Sequence, residues 1–233
     1  MDQDVFVKEL NGALASIAAI LPIKDRTVRL INSHETDVII PLANSQNFAA
    51  AVRGVAAVMD KNNDVLVLVM TSHGERTGFA LQLPGNRMTE FTPQQVASTL
   101  DSEGVKNRVV IVSACYSGIF IPLADADTMV ITAADANHPS FGCRDRAQWT
   151  YFGDAFFNTA MRRAMTLKEA FNEARGIVRR RELRNGFDPS NPQMAGGESI
   201  EPALVSAAPP SRPPSKGRQP GLDREISAPG VRP

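Results

Sequence analysis

Two short runs constrain the fold more than anything else in the chain. Residues 64–70 (DVLVLVM) and Arg108–Ser113 (RVVIVS) are nearly continuous strings of β-branched and aliphatic residues. Neither alternates apolar with polar, so neither can keep one face in water. Each reads as a strand buried on both faces, as in a parallel sheet covered by helices. Residues 129–132 (MVIT) repeat the pattern. Helical spacing fills the gaps. Residues 4–21 set Phe6, Leu10, Leu14, Ile17 and Leu21 on one face, and residues 45–59 set Phe48, Val52, Val55 and Met59 behind a cap at Asn44 or Ser45. Thr92-Pro93-Gln94-Gln95 supplies a cap, a first-turn proline and a capping-box glutamine. Residues 27–32 (TVRLIN) and 79–83 read as shorter strands, the second followed by a turn at Pro84–Gly85. Residues 154–165 and 166–184 read as helices, the latter opened by a box from Thr166 to Glu169 and closed by Gly186. Strands alternating with helices imply right-handed βαβ units. The expected fold is α/β, an open, mostly parallel sheet flanked by helices.

Past about Gly196 the periodicity stops. Eight of the 16 prolines lie between 202 and 233, mixed with Ser, Gly, Ala and Arg. The expected organisation is one domain over residues 1–197 and a disordered tail over 198–233, because the tail has too little apolar surface to offset its ordering entropy. Charge sets limits on partners. Lys+Arg and Asp+Glu are 25 each, so no excess charge points to nucleic acid or a membrane surface. The triple arginine 179–181 reads as a solvated helix face. Two cysteines, Cys115 and Cys143, make no disulfide framework. MDQDVFVKEL has no basic region ahead of an apolar one and no run is long enough to cross a bilayer, so the chain as written reads as cytoplasmic.

The chemistry gathers at two strand ends. The first central run leads into Thr71-Ser72-His73-Gly74, the second into Ala114-Cys115-Tyr116-Ser117-Gly118. Open α/β sheets carry functional groups beyond the carboxyl ends of their strands. Neighbouring parallel strands would therefore present an imidazole and a thiol on one edge, with room between them in sequence for a crossover containing the Thr92 helix. A thiol is a good nucleophile as thiolate, which a nearby imidazole favours, and the imidazole then handles the proton of the leaving amine. Gly74 N–H and Cys115 N–H are candidates for an oxyanion hole. Either residue alone is ordinary strand-end packing; together they point to a Cys–His dyad. His34, beside Glu35 and Asp37, has no second ligand pair at metal-binding spacing and reads as surface, as does His138 before Pro139. Cys143 reads as structural. No Gly-x-Ser-x-Gly elbow or phosphate loop is present.

Six strings in order, TSHGE (71–75), VVIVSACYSGIF (109–120), ITAAD (131–135), SFGCRDR (140–146), TYFGDAFF (150–157) and DPSNPQMAGG (188–197), resemble the legumain (asparaginyl endopeptidase) family and its bacterial branch. That family lies within the caspase-hemoglobinase group of cysteine peptidases. The resemblance implies Cys115 as nucleophile, His73 as catalytic histidine, Gly74 in the oxyanion hole, and Ser140 and Asp154 in the substrate pocket. Ser113 stands where legumains carry an acidic pocket residue, which puts asparagine preference in question. The family begins with a central strand ahead of its first helix, and this chain starts inside that connection, so the first strand is expected to be missing. The expected activity is cysteine endopeptidase acting on peptides or proteins through a thioester, with no metal or organic cofactor. The alternatives are a catalytically inactive scaffold on the same fold and a transamidase using the same acyl-enzyme. Neither oligomeric state nor cut-site preference is legible.

Overall fold

Alternate residues of each central run face opposite ways, so two helical layers are needed to cover them. The computed structural model of the chain describes residues 4–23, 25–33, 40–83, 87–144 and 146–207. Helices α1 (Asp4–Ala18) and α2 (Ser45–Ala56) lead to strand β1 (Leu66–Thr71). A hairpin of β2 (Phe79–Leu83) and β3 (Arg87–Phe91) precedes α3 (Pro93–Ser102) and β4 (Arg108–Ser113). A 3₁₀ segment (Ser117–Leu123), β5 (Thr128–Thr132), α4 (Tyr151–Gly153) with its π-helical continuation Asp154–Ala160, α5 (Leu167–Arg184), β6 (Gln193–Ala195) and α6 (Glu201–Ala207) complete the order. The main sheet runs β1-β4-β5-β6; β1, β4 and β5 are parallel, and β6 is antiparallel to β5. This is the open, mostly parallel sheet expected.

Val109, Ile111, Met129 and Ile131 face a layer built from α1, the π-helical segment and α5. Val110, Val112 and Val130 face α2, α3 and the hairpin. Every residue of β4 and β5 is buried, whereas in β1 only Met70 is. Val67 and Val69 lean towards the first layer, Leu66 and Leu68 towards the second. Beyond the free edge of β1 lies an apolar trough of about 980 Å³, walled by α1, α2, β1 and the chain around residues 27–33.

Several expectations change. Residues 27–32 form no strand: Val28 is 54% exposed, and Ile31 N–H donates to Pro41 in a loop rather than to a ladder. A strand needs a partner edge, and no strand among the described residues pairs there. In α1 the stripe Phe6–Leu10–Leu14 borders the trough, while the buried face carries Val5, Glu9, Ala13, Ser16 and Ile17. Small residues decide that face; a methyl group at Gly12 would run into the Trp149 ring. The capping box at Thr92 and Gln95 is complete. At α5 only half of one forms: Thr166 caps Glu169, whose carboxylate turns to Met165 N–H instead. Gly186, at φ 73°, follows that helix as expected. The helix expected from 154 begins at Tyr151, because the Thr150 hydroxyl accepts Gly153 N–H at 2.9 Å. Order also runs past 197 into α6, since Ile200 is buried and Leu204 packs against the core. His34, the Pro84–Gly85 turn and residues 208–233 lie outside the described residues.

Candidate active site

The register places the two strand ends level. Thr71 pairs with Ser113, and Ser72 N–H donates to Ser113 O at 3.4 Å. Two residues further, the adjacent chains carry His73-Gly74 and Cys115. They approach so closely that a Cβ on Gly74 would strike the Cys115 carbonyl oxygen and stand 3.1 Å from Ala114 Cβ. Gly74 is held from its other side. Ala80 N–H donates to His73 O at 3.0 Å and Glu75 N–H to Gly78 O at 2.8 Å, which sets Gly74 opposite Phe79 without using its own N–H. Among the described residues neither Gly74 N–H nor Cys115 N–H donates to a protein acceptor.

The imidazole and the thiol have different surroundings. Phe6 of α1 meets the His73 ring edge-on, with centroids 5.1 Å apart. His73 remains solvent-exposed as a residue, yet partial burial of its ring lowers its pKa, opposed by the charge of Glu75. A lowered value keeps the imidazole neutral and able to take a proton. The Cys115 sulfur lies against Ser140: Ser140 N–H donates to Sγ at 3.3 Å and the thiol donates to Ser140 O at 3.4 Å. Tyr116 follows in the left-handed region (φ 54°), and its N–H donates to His138 O. The loop from Ala133 to Ser140 is thus stitched to the Cys115–Tyr116 corner. There Asp135 grips His138 Nδ1 at 2.7 Å, so His138 is an anchored loop residue rather than a bare surface one.

Ser113 is 2% exposed and its hydroxyl lies 3.3 Å from that of Thr150. Asp154 is one turn further along the same helix. Its carboxylate takes Arg181 at 2.7 Å and Asn158 at 2.8 Å, beside a hollow of about 330 Å³ lined also by Gly142 and Tyr151. The structure therefore brings His73, Gly74, Cys115 and Ser140 together, sets Ser113 beneath them, and gives Asp154 a cationic partner of its own. Burial, then the nearby Cys115 and Glu9, push the Cys143 thiol up to about 12. It stays protonated and unreactive at neutral pH.

Glu9 was not singled out from sequence. It is fully buried, accepting Thr71 Oγ1–H at 3.0 Å and Thr150 N–H at 2.8 Å. Burial raises its pKa, against hydrogen bonds from Ser113, Thr150 and Thr71. Its only sequence signal is its place on the small-residue face of α1. Among the described residues no three His, Cys, Asp or Glu side chains converge as metal ligands. None of the described helices is long and apolar enough to cross a membrane.

The fold matches solved structures. Caspase-1 from Spodoptera frugiperda superimposes with a TM-score of 0.52 at 14% identity, covering 83% of this chain and 77% of that one. At that identity the likeness concerns the fold alone, a caspase-like α/β architecture. No curated protein matches the chain. The model of the Peptidase C13 family matches residues 31–200, a span holding His73, Gly74, Cys115, Ser140 and Asp154, and the chain belongs to that family.

Proposed function

We propose that the chain is a cysteine endopeptidase of the legumain-like type, on the bacterial branch of that family, acting on peptide or protein substrates. One observation carries the reading: parallel register sets His73-Gly74 directly against Ala114–Cys115 at the carboxyl edge of the sheet. His73 takes the thiol proton, and Cys115 Sγ bonds to the scissile carbonyl carbon. The negative charge that develops on the carbonyl oxygen is met by Gly74 N–H and Cys115 N–H, each such donor contributing about 2.7–4 kcal/mol to the transition state. The intermediate collapses as the C–N bond breaks, and His73 returns the proton to the leaving amine. Water, deprotonated by His73, then cleaves the thioester and restores the thiol.

Ser140, Ser113 and Asp154 are assigned to the pocket for the residue before the cut. Because Arg181 already neutralises Asp154, that pocket offers a carboxylate–guanidinium pair rather than a lone negative charge. Such a pair favours a neutral, hydrogen-bonding side chain over a basic one. The inactive-scaffold alternative draws support from the half-exposed β1, the strand that carries His73. Intact-mass labelling with peptidyl acyloxymethyl ketones bearing Asn, Asp or Arg before the ketone tests both. Single labelling that vanishes in Cys115→Ala and slows in His73→Ala, fastest with Asn, is the expected result. A folded protein that takes no label, or takes it at Cys143, overturns the peptidase reading.

A further inference from the structure

A carboxylate that the dyad chemistry does not use sits directly beneath the dyad. Glu9 has no solvent exposure, and a buried carboxyl is costly unless its oxygens are engaged. Here they are engaged by the parts that carry the active site. Oε1 accepts from Thr71, two residues before His73 on β1, and Oε2 accepts from the backbone of Thr150, the cap of α4. The Ser113 hydroxyl, two residues before Cys115 on β4, joins through Thr150, whose own hydroxyl it meets at 3.3 Å. At Gly153 any side chain would run into that carboxylate. One turn earlier on α1, Phe6 stands against the His73 ring. Three elements meet at this single side chain, α1, β1 and α4, and β4 joins them through the Ser113–Thr150 hydroxyl contact.

We propose that Glu9 is a positioning residue for the Cys115–His73 pair, clamping both strand ends to α1 and to the start of α4 so that imidazole and thiol keep their relative height. An apolar filler of the same size would pack the space but could not hold Thr71, Ser113 and Thr150 in one register. The inference rests on the peptidase reading only for its activity readout, because the rate at which His73 promotes alkylation of Cys115 reports the same geometry without any peptide.

The test compares Glu9→Ala, Glu9→Gln and Gly153→Ala with Ile17→Ala, a core change on the same helix remote from the network. For each, kcat, KM, thermal stability and the iodoacetamide alkylation rate of Cys115 are measured. A misplacement on the ångström scale costs about 100-fold in rate, so Glu9→Ala and Gly153→Ala should lose kcat by about that factor with KM little changed. Glu9→Gln should recover most of it, since its carbonyl can serve Thr150 while its amide donates to a reoriented Thr71 hydroxyl. Ile17→Ala should lose stability and keep kcat. Should Glu9→Ala fail to fold, Glu9→Asp, one methylene short of both partners, is expected to lose rate in the same way. A parent protein that alkylates in a His73-dependent manner but cleaves no peptide would sink the peptidase reading and leave Glu9 to be judged on alkylation. A folded Glu9→Ala protein with kcat and alkylation rate within about threefold of the parent overturns the proposal. Equal losses in Ile17→Ala, or alkylation of the parent that ignores His73, overturn it as well.

Discussion

The strand that carries the thiol and the strand that carries the imidazole are adjacent and parallel, yet they are held very differently. β4 is paired on both edges, to β1 and β5, and all its residues are buried. Among the described residues β1 is paired to β4 alone, and its outer edge borders the trough. Cys115 therefore follows the most fully buried part of the sheet, while the side of β1 that leads to His73 is met by helix α1, through Phe6 and Glu9. The lesson is that equal hydrophobicity in two runs does not mean equal support.

The contrast is easiest to break with core truncations. Ile131→Ala on β5 should cost about 2–5 kcal/mol in urea unfolding, and Val67→Ala on β1 about 1 kcal/mol, since Val67 is already partly in contact with solvent. Equal losses would mean that β1 is as well packed as β5. Native-state hydrogen exchange sharpens the same point: amides of β4 and β5 should exchange only through global opening, and those of β1 through smaller openings. Phe6→Ala addresses the imidazole itself. Burial disfavours the charged ring, so in the parent the acid limb of kcat/KM should lie below about 6.5, the usual histidine value. Removing the Phe6 ring rehydrates His73 and should move that limb upward; an unmoved limb would show that Phe6 does not govern it. The same shift adds stability above the ordinary histidine value that is lost as pH falls through the lowered one. The smallest effect belongs to Cys143→Ala, which should leave the labelling rate of Cys115 within about twofold, because a thiol pushed to about 12 does not compete for the label.

What was legible in the sequence was local. The β4 and β5 runs are apolar throughout because they are buried throughout, and Thr92 with Gln95 declares a helix start by chemistry confined to one turn. The adjacency of His73-Gly74 and Cys115 at one sheet edge followed from strand ends alone. The rest depended on distant neighbours. β3 (RMTEF) is exposed except at Phe91 and exists by pairing with β2, and β6 is a short stretch recruited by the edge of β5. Of the apolar stripe expected from α1, Ile17 is buried and Leu21 packs on the core, while Phe6, Leu10 and Leu14 border the trough and Val5, Glu9, Ala13 and Ser16 complete the buried face. Glu9 looked like any solvated helix carboxylate, because its donors come from Thr71 and Thr150, far away in the chain. Residues 27–32 have strand character without a strand's partner.

The tight approach of Gly74 to the Cys115 carbonyl has a consequence for reading genetic variation. Every other amino acid brings a β-carbon into that oxygen. A variant at this codon would disturb the backbone of Cys115 before it disturbed any hydrogen-bond donor, so an inherited loss of function at position 74 is silent about which of the two failed. Separating them calls for a change of atom rather than of residue, such as replacing the amide that precedes Gly74 by an ester, which deletes the N–H and leaves the space empty.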